Sequence, residues 1–362
     1  MPTRFPQHSD KTVLILYTGG TIGMREGPHG LAPAGDFAAR LDRMLATLPA
    51  ERRRALPDIE VISYATPVDS SSVTPLDWQT LADDIRPRCA RHAGIVVVHG
   101  TDTLSWTSAS LSLQLRRPGC PVIVTGAMAP LEAPNSDALE NLEGALRFAA
   151  LPPPVRLDDV AIYFAGRLLR GSRATKWHAS AADAFTSPGT PPLGDYHDGP
   201  RLLAESAVAA HEPDATTRAL LDRTPTNYRR INQGEIVRIV LWPGMAAWQL
   251  SAWLEDSRVE GALLQLWGAG NIADDPALIE VLERAVAQGK LIVAVSQCLY
   301  GSVSPGTYAA GHALARAGVL PGGDMPPEAA FAKLAHLVAM PLDSATRRQA
   351  FITPWVGESG AD

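Results

Sequence analysis

The chain has 362 residues, 46% of them hydrophobic and 19% charged, with a formal net charge of −6 at pH 7. That length is more than one ordinary hydrophobic core accommodates and predicts two domains, while the apolar content excludes a disordered chain. A negative balance gives no electrostatic attraction to nucleic acid or to an anionic membrane, so small molecules are the expected ligands.

The N-terminal stretch MPTRFPQHSDK lacks the apolar segment of a signal peptide, and a strand pattern, Thr12 to Tyr17 (TVLILY), follows at once. No apolar run approaches the ~18 residues of a membrane span, and a cytoplasmic location is expected. Thr74-Pro75-Leu76-Asp77 supplies a helix cap, a proline at the first helical position and an acid two residues on, ahead of Trp78, Leu81, Ala82 and Ile85. Ile95 to Val98, Val122 to Thr125 and Val160 to Phe164 read as further strands, apolar on both faces as in a covered parallel sheet. Between them Asp137 opens a helix with Leu139, Leu142, Leu146 and Ala149 on one face. Alternating strands and helices predict a doubly wound α/β domain. The rhythm breaks between about Ser187 and Gly234, where turn formers and weak periodicity predict a connection between domains. It resumes with strands at Ile236 to Leu241, Ala262 to Trp267 and Leu291 to Val295, a helix begun by Asp275-Pro276 and ended by Gly289, and another over Pro327 to Met340. The expected organisation is a larger N-terminal α/β domain over 1–205, a linker over 206–234 and a smaller C-terminal α/β domain over 235–362. Cys89, Cys120 and Cys298 are odd in number and scattered, as expected of reduced thiols in packed positions rather than of a disulfide scaffold or zinc knuckle.

Open α/β sheets hold ligands beyond the carboxyl ends of their strands, so the residues just after each strand matter most. After the first come Thr18-Gly19-Gly20-Thr21-Ile22-Gly23, after the Ile95 strand His99-Gly100-Thr101-Asp102-Thr103, and after the Val122 strand Gly126-Ala127. A single glycine turn after a strand is ordinarily only a turn. Three in succession, with two threonines and an acid, predict a small polar pocket closely approached by backbone. A threonine hydroxyl attacks a carbonyl only when a base takes its proton. Asp102 alone is a weak base, and Lys176, in a glycine- and hydroxyl-rich stretch of a chain with few lysines, is the candidate if burial keeps it neutral.

YTGGTIGM (Tyr17 to Met24) together with HGTDTLSWTS (His99 to Ser108) resembles the paired signature of the bacterial L-asparaginase family, in its cytoplasmic type I branch. VDSS (Val68 to Ser71), PVIVTGAMAPL (Pro121 to Leu131), NSDALENL (Asn135 to Leu142), RGSRATKWHA (Arg170 to Ala179), WGAGN (Trp267 to Asn271) and SQCLYGSVSPGTYAAGHAL (Ser296 to Leu314) extend the resemblance along nearly the whole chain. It implies hydrolysis of L-asparagine to L-aspartate and ammonia, with Thr21 as nucleophile and Thr101, Asp102 and Lys176 as a second catalytic group. It also implies that Asp69, Ser70 and Ser71, with Thr101 and Asp102, hold the substrate's α-carboxylate and α-amino groups. Backbone N–H groups near Ala127 and the Thr101 loop would steady the oxyanion. No cofactor or metal is implied, and sites shared between subunits imply a homodimer or homotetramer.

Two positions depart from the family pattern. Leu31 stands where the family places a tyrosine that relays the nucleophile's proton, and Gln265 stands where some type I members carry an arginine tied to allosteric control. Three other readings compete. The amidotransferase subunit of the same fold carries a further N-terminal domain, for which the strand at Thr12 leaves no room. A nucleotide-binding module is suggested by Gly268-Ala269-Gly270-Asn271-Ile272-Ala273, but the next strand ends in Ser296-Gln297 rather than in an acid for a ribose. A glutaminase of broader specificity and an amino-acid binder inactivated at Leu31 complete the alternatives.

Overall fold

The computed structural model describes residues 12–27, 30–203, 219–220, 229–303 and 309–360. The chain divides into two compact units, Met1–Val73 with Thr80–Ala210, and Thr74–Gln79 with His211–Asp362. Much of the expected linker, 206–218 and 221–228, lies outside the described residues.

In the first unit, β1 is Val13–Gly19, β2 Met24–Gly27, β3 Gly30–Pro33, β4 Ile59–Val68, β5 Gly94–Val98, β6 Val122–Thr125 and β7 Val160–Phe164. β8 (Arg167–Arg170), β9 (Thr175–Lys176), β10 (Phe185–Thr186), β11 (Gly194–Tyr196) and β12 (Pro200–Leu202) follow. The eight-stranded sheet has the order β12-β11-β8-β7-β6-β5-β1-β4. β4, β1, β5, β6 and β7 run parallel, and β8, β11 and β12 extend the sheet in antiparallel fashion. From β1 the chain moves outward to β4, then returns across β1 to lay down β5, β6 and β7. The order therefore reverses between β1 and β5.

The parallel core strands are apolar on both faces because both are covered. Val13, Ile15 and Tyr17 pack on one side with Phe37, Leu142 and Phe148, and Leu14 and Leu16 pack on the other with Leu81, Ile85 and Leu111. The sequence pattern overlooks β4, an edge strand whose IEVISYATPV alternates polar and apolar residues and is only half-buried. Gly194 to Leu202 lie in the stretch where the rhythm breaks, though inside the expected N-terminal domain, 1–205. They form β11 and β12, two edge strands of the first unit's sheet, so the break in rhythm begins later than expected.

The second unit carries a parallel sheet, β13 (Ile236–Val240), β14 (Gly261–Leu266), β15 (Leu291–Ser296) and β16 (Leu320–Pro321), in sequential order. The helix Pro276–Ala287 is capped by the Asp275 carboxylate on the Ala277 N–H and is followed by Gly289 at φ 88°. Cys89 and Cys120 are buried, but Cys298, expected to be packed, is exposed in the segment after β15. Among the described residues no helix is long and apolar enough to cross a membrane.

The second unit contains a fully buried ion pair, Lys333 to Glu358 at 2.6 Å. Lys333 also donates to the Thr353 carbonyl, while Glu358 accepts from the Trp355 and Val356 N–H groups. Burial pushes the Glu358 carboxyl upward, but the Lys333 charge and these donors together outweigh it and hold the group below its ordinary value. Removing one partner strands the other charge, so Lys333→Met is expected to lower stability by about 3–5 kcal/mol in chemical unfolding. A loss under about 1 kcal/mol would show that the backbone donors alone suffice.

Candidate active site

Four neighbouring strands, β4, β1, β5 and β6, end on the same side of the sheet because each adjacent pair is parallel. Asp69, Ser70 and Ser71 follow β4, Thr21 follows β1, Thr101 and Asp102 follow β5, and Ala127 follows β6. The turns after β1 and β5 flank the point where strand order reverses, which is where such sheets open a crevice.

Glycine lets those turns meet. Gly20 has φ 91°, and a Cβ added to it would lie 2.4 Å from the Gly100 Cα. A Cβ on Gly100 would in turn lie 2.5 Å from the Ser70 hydroxyl oxygen. Three loops thus converge at backbone distance. They are tied by the Thr103 hydroxyl donating to the Ser70 carbonyl at 2.7 Å and the Thr18 hydroxyl donating to the Val98 carbonyl at 2.9 Å. The Asp69 carboxylate accepts from the Ser71 N–H at 3.0 Å, opening the short 3-10 turn Ser70–Ser72.

Burial sorts the polar groups into layers. Ser70 and Thr101 are buried, Thr21 is half-buried, and Asp69, Ser71 and Asp102 are exposed. The Ser70 and Thr101 hydroxyls thus lie deepest, and the Asp69 and Asp102 carboxylates with the Ser71 hydroxyl lie outermost, a distribution suited to a small ligand with its own charged ends. Lys176 comes from elsewhere in the unit. It lies within β9, paired to Phe185 of β10. Its Nζ is 3.0 Å from the Thr101 hydroxyl and 2.8 Å from Asp102 Oδ1, with the side chain only 15% exposed. The amine is shielded from water but not isolated, since Asp102 lies against it.

The supporting residues escape sequence reasoning because their partners are far apart in the chain. Arg40, fully buried, donates from Nη1 to the Gly23 carbonyl at 2.7 Å and from Nη2 to the Met24 carbonyl at 3.3 Å, bracing the 3-10 turn Thr21–Gly23 from behind. Its Nε donates to both oxygens of Glu132, which also pairs with Arg25. The two arginines hold the Glu132 carboxyl down at about 2. Next to Glu132, the Leu131 N–H donates to the Ile22 carbonyl, joining the loop after β6 to the Thr21 turn. Asp137, read from sequence as a helix opener, directs its carboxylate instead to the N–H groups of Met128 and Ala129, fixing the loop that carries Ala127. Tyr17 fills the space under Gly23, where an added Cβ would fall 1.8 Å from the phenol oxygen.

Leu31 lies on β3, opposite Glu26 in the β2–β3 hairpin, and is 49% exposed. Gln265 accepts from Arg238 Nε at 2.7 Å. The stretch from Gly268 does not open a helix as a dinucleotide loop would: it closes on itself through a Trp267–Asn271 bridge. Among the described residues no three His, Cys, Asp or Glu side chains converge as a metal would require.

Two family models match the chain, "Asparaginase, N-terminal" over residues 12–208 and "Glutaminase/Asparaginase C-terminal domain" over residues 235–351. The chain belongs to the asparaginase family. It is 37% identical over 352 residues to L-asparaginase 1 of Escherichia coli K12, covering 97% of this chain and 99% of that one. The structure of L-asparaginase I from Vibrio cholerae superposes with a TM-score of 0.82 at 34% identity, covering 98% of this chain and all of the other. The thermostable L-asparaginase of Thermococcus kodakarensis gives 0.80 at 28% identity, over 97% of this chain and all of that one. Four of the N-terminal motifs that carried the sequence resemblance stand at the ends of β1, β4, β5 and β6, whereas NSDALENL opens the helix Ala138–Ala149 and RGSRATKWHA runs from β8 into β9.

Gly20→Ala and Gly100→Ala are expected to abolish activity, because each Cβ meets atoms of a neighbouring loop and Gly20 also needs a positive φ. Either alanine variant retaining wild-type turnover would contradict the close packing. The depressed Glu132 carboxyl contributes stability that is present above its unfolded value of about 4.3 and is lost as pH falls through about 2. Glu132→Gln should accordingly flatten the acid limb of a stability–pH profile, and an unchanged limb would contradict the pairing.

Proposed function

We propose that this chain is an L-asparaginase, an amidohydrolase that converts L-asparagine to L-aspartate and ammonia through a threonine ester. The observation that carries the reading is the contact of Lys176 Nζ with both Thr101 and Asp102, beside the Gly20–Thr21 turn. The near full-length similarity to bacterial L-asparaginases supports it. Thr21 Oγ would attack the side-chain carboxamide carbon, forming a C–O bond while its proton leaves to a base. Backbone N–H groups of the Thr101 loop and near Ala127 would hold the resulting oxyanion. Collapse breaks the C–N bond, the leaving nitrogen takes a proton and departs as ammonia, and water then cleaves the β-aspartyl ester. Asp69, Ser70, Ser71 and Asp102 would bind the α-amino and α-carboxylate groups.

With leucine at position 31, no phenol is supplied by the β2–β3 hairpin, and the Thr101–Lys176 pair is the proton acceptor we assign to acylation as well as to deacylation. We also propose a cytoplasmic homodimer or homotetramer, and the division 1–205, 206–234 and 235–362, with the first segment carrying the chemistry. The small-molecule substrate requires neither cofactor nor metal in this scheme.

The first test is steady-state ammonia release from L-asparagine, L-glutamine and D-asparagine side by side. Release from L-asparagine is expected to dominate. Binding without turnover of any amide would favour the inactive-binder alternative, and equal use of L-glutamine the broader amidase. Thr21→Ala and Thr101→Ala should each remove nearly all turnover, with non-additive losses when combined. Lys176→Met should abolish the first turnover while asparagine still binds, since a base contributes about 10²–10⁴-fold. Leu31→Tyr should raise kcat/KM. An intact ammonia burst in Lys176→Met, with no gain in Leu31→Tyr, would place the base elsewhere. An active monomer in sedimentation would contradict the oligomer.

A further inference from the structure

His99 is a buried titratable group, one residue from Gly100 and two from Thr101, for which the scheme above has no use. Its ring is clamped at both nitrogens: Nδ1 lies 2.7 Å from the Gly100 carbonyl oxygen and Nε2 3.1 Å from the Thr107 hydroxyl. A carbonyl only accepts, so Nδ1 carries a proton and donates it. In the neutral ring Nε2 is then an acceptor, satisfied by the hydroxyl of Thr107, a buried residue of the helix Leu104–Leu115. Burial pushes the imidazole below its ordinary pKa, against a smaller upward pull from the Gly100 carbonyl. The backbone of His99 is fixed too. Its N–H donates to the Thr125 carbonyl at 2.8 Å, and its own carbonyl lies where a Cβ on Gly126 would be only 2.3 Å away.

The Gly100 carbonyl is therefore aimed at a rigid donor. In a trans peptide the carbonyl and the following N–H point in opposite directions, and Pro153–Pro154 is the only cis bond among the described residues. The Thr101 N–H thus faces away from the imidazole, and no described residue accepts from it. Gly100, with neither a side chain nor helical neighbours to restrain it, would otherwise let this peptide plane turn.

We propose that His99 is a positioning residue: held by Thr107 as the neutral Nδ1–H tautomer, it fixes the Gly100–Thr101 peptide so that the Thr101 N–H is presented to the oxyanion. This rests on the reading of Thr21 as nucleophile and of the Thr101 loop as oxyanion donor. The ring touches no substrate and transfers no proton. Its effect falls on kcat, because a misdirected donor is lost to the transition state more than to the bound amide.

The test compares His99→Phe, which keeps a ring without a donor, with His99→Asn, whose Nδ2 occupies the place of Nδ1, and with Thr107→Val, which frees the far side of the ring. His99→Phe is expected to lower kcat by about 10²-fold with KM and the Kd for L-aspartate nearly unchanged. His99→Asn should recover most of that loss, and Thr107→Val should show a smaller one. Nitrogen NMR of the wild-type imidazole should show the Nδ1–H tautomer without titration through neutral pH. A His99→Phe enzyme with wild-type kcat, an Asn variant no better than Phe, or a ring protonated at Nε2 would overturn the proposal. If His99→Phe fails to fold, the Asn and Thr107→Val pair decides: a wild-type kcat in Thr107→Val, together with a titrating ring, overturns it. Thr21→Ala separates the two levels. A turnover-competent Thr21→Ala refutes the nucleophile reading, whereas an inert Thr21→Ala beside a fully active His99→Phe refutes only the role of His99.

Discussion

The candidate site depends on one steric constraint, the contact of Gly20 with Gly100 where the sheet reverses its strand order. A parallel sheet built outward in both directions from β1 leaves the turns after β1 and β5 without a crossover helix between them, and so opens a crevice at that place. Whether the crevice becomes a reactive site depends on how closely the turns approach. A Cβ on Gly20 would meet the Gly100 backbone and one on Gly100 the Ser70 side chain, displacing these loops by more than the tolerance a positioned site allows. Glycine at both places lets the turns that carry Thr21 and Thr101, each the next residue, pack at backbone distance.

The rest of the first unit keeps that contact from shifting. Arg40 and Glu132 join the Thr21 turn to the loop after β6, Asp137 secures the other end of that loop, and Tyr17 fills the volume beneath Gly23. Arg40 and Asp137 end on backbone atoms, while Asp69 and Asp102 stay exposed and Thr21 half-buried. The ion pair of Lys176 with Asp102 adds a charged wall whose amine reaches inward to Thr101.

Much of this was legible in the sequence, for reasons that differ between residues. β1, β5, β6 and β7 announce themselves because strands covered on both faces are continuously apolar, and the motifs stand out because they sit where those runs stop. β4 gives a weaker signal because an edge strand alternates, although VDSS at its end stands out through the family resemblance. β11 and β12 give no strand signal because short antiparallel edge strands rich in Gly, Pro and Asp have the composition of turns. Arg40, Glu132 and His99 carried no local signal: their partners lie across the fold, or, for His99, in the tautomer that a neighbouring hydroxyl selects. Lys176 was found by motif, but its residence in β9 and its contact with Asp102 required the fold.

The central claim is that Thr21, held over the β1–β5 crevice, becomes covalently attached to substrate. Its most direct measurement is mass spectrometry of peptides from enzyme acid-quenched during turnover of L-asparagine. An aspartyl adduct confined to the peptide that contains Thr21 is expected. Wild-type turnover with the adduct on Thr101, or with no adduct on either threonine when deacylation is slowed, would contradict it.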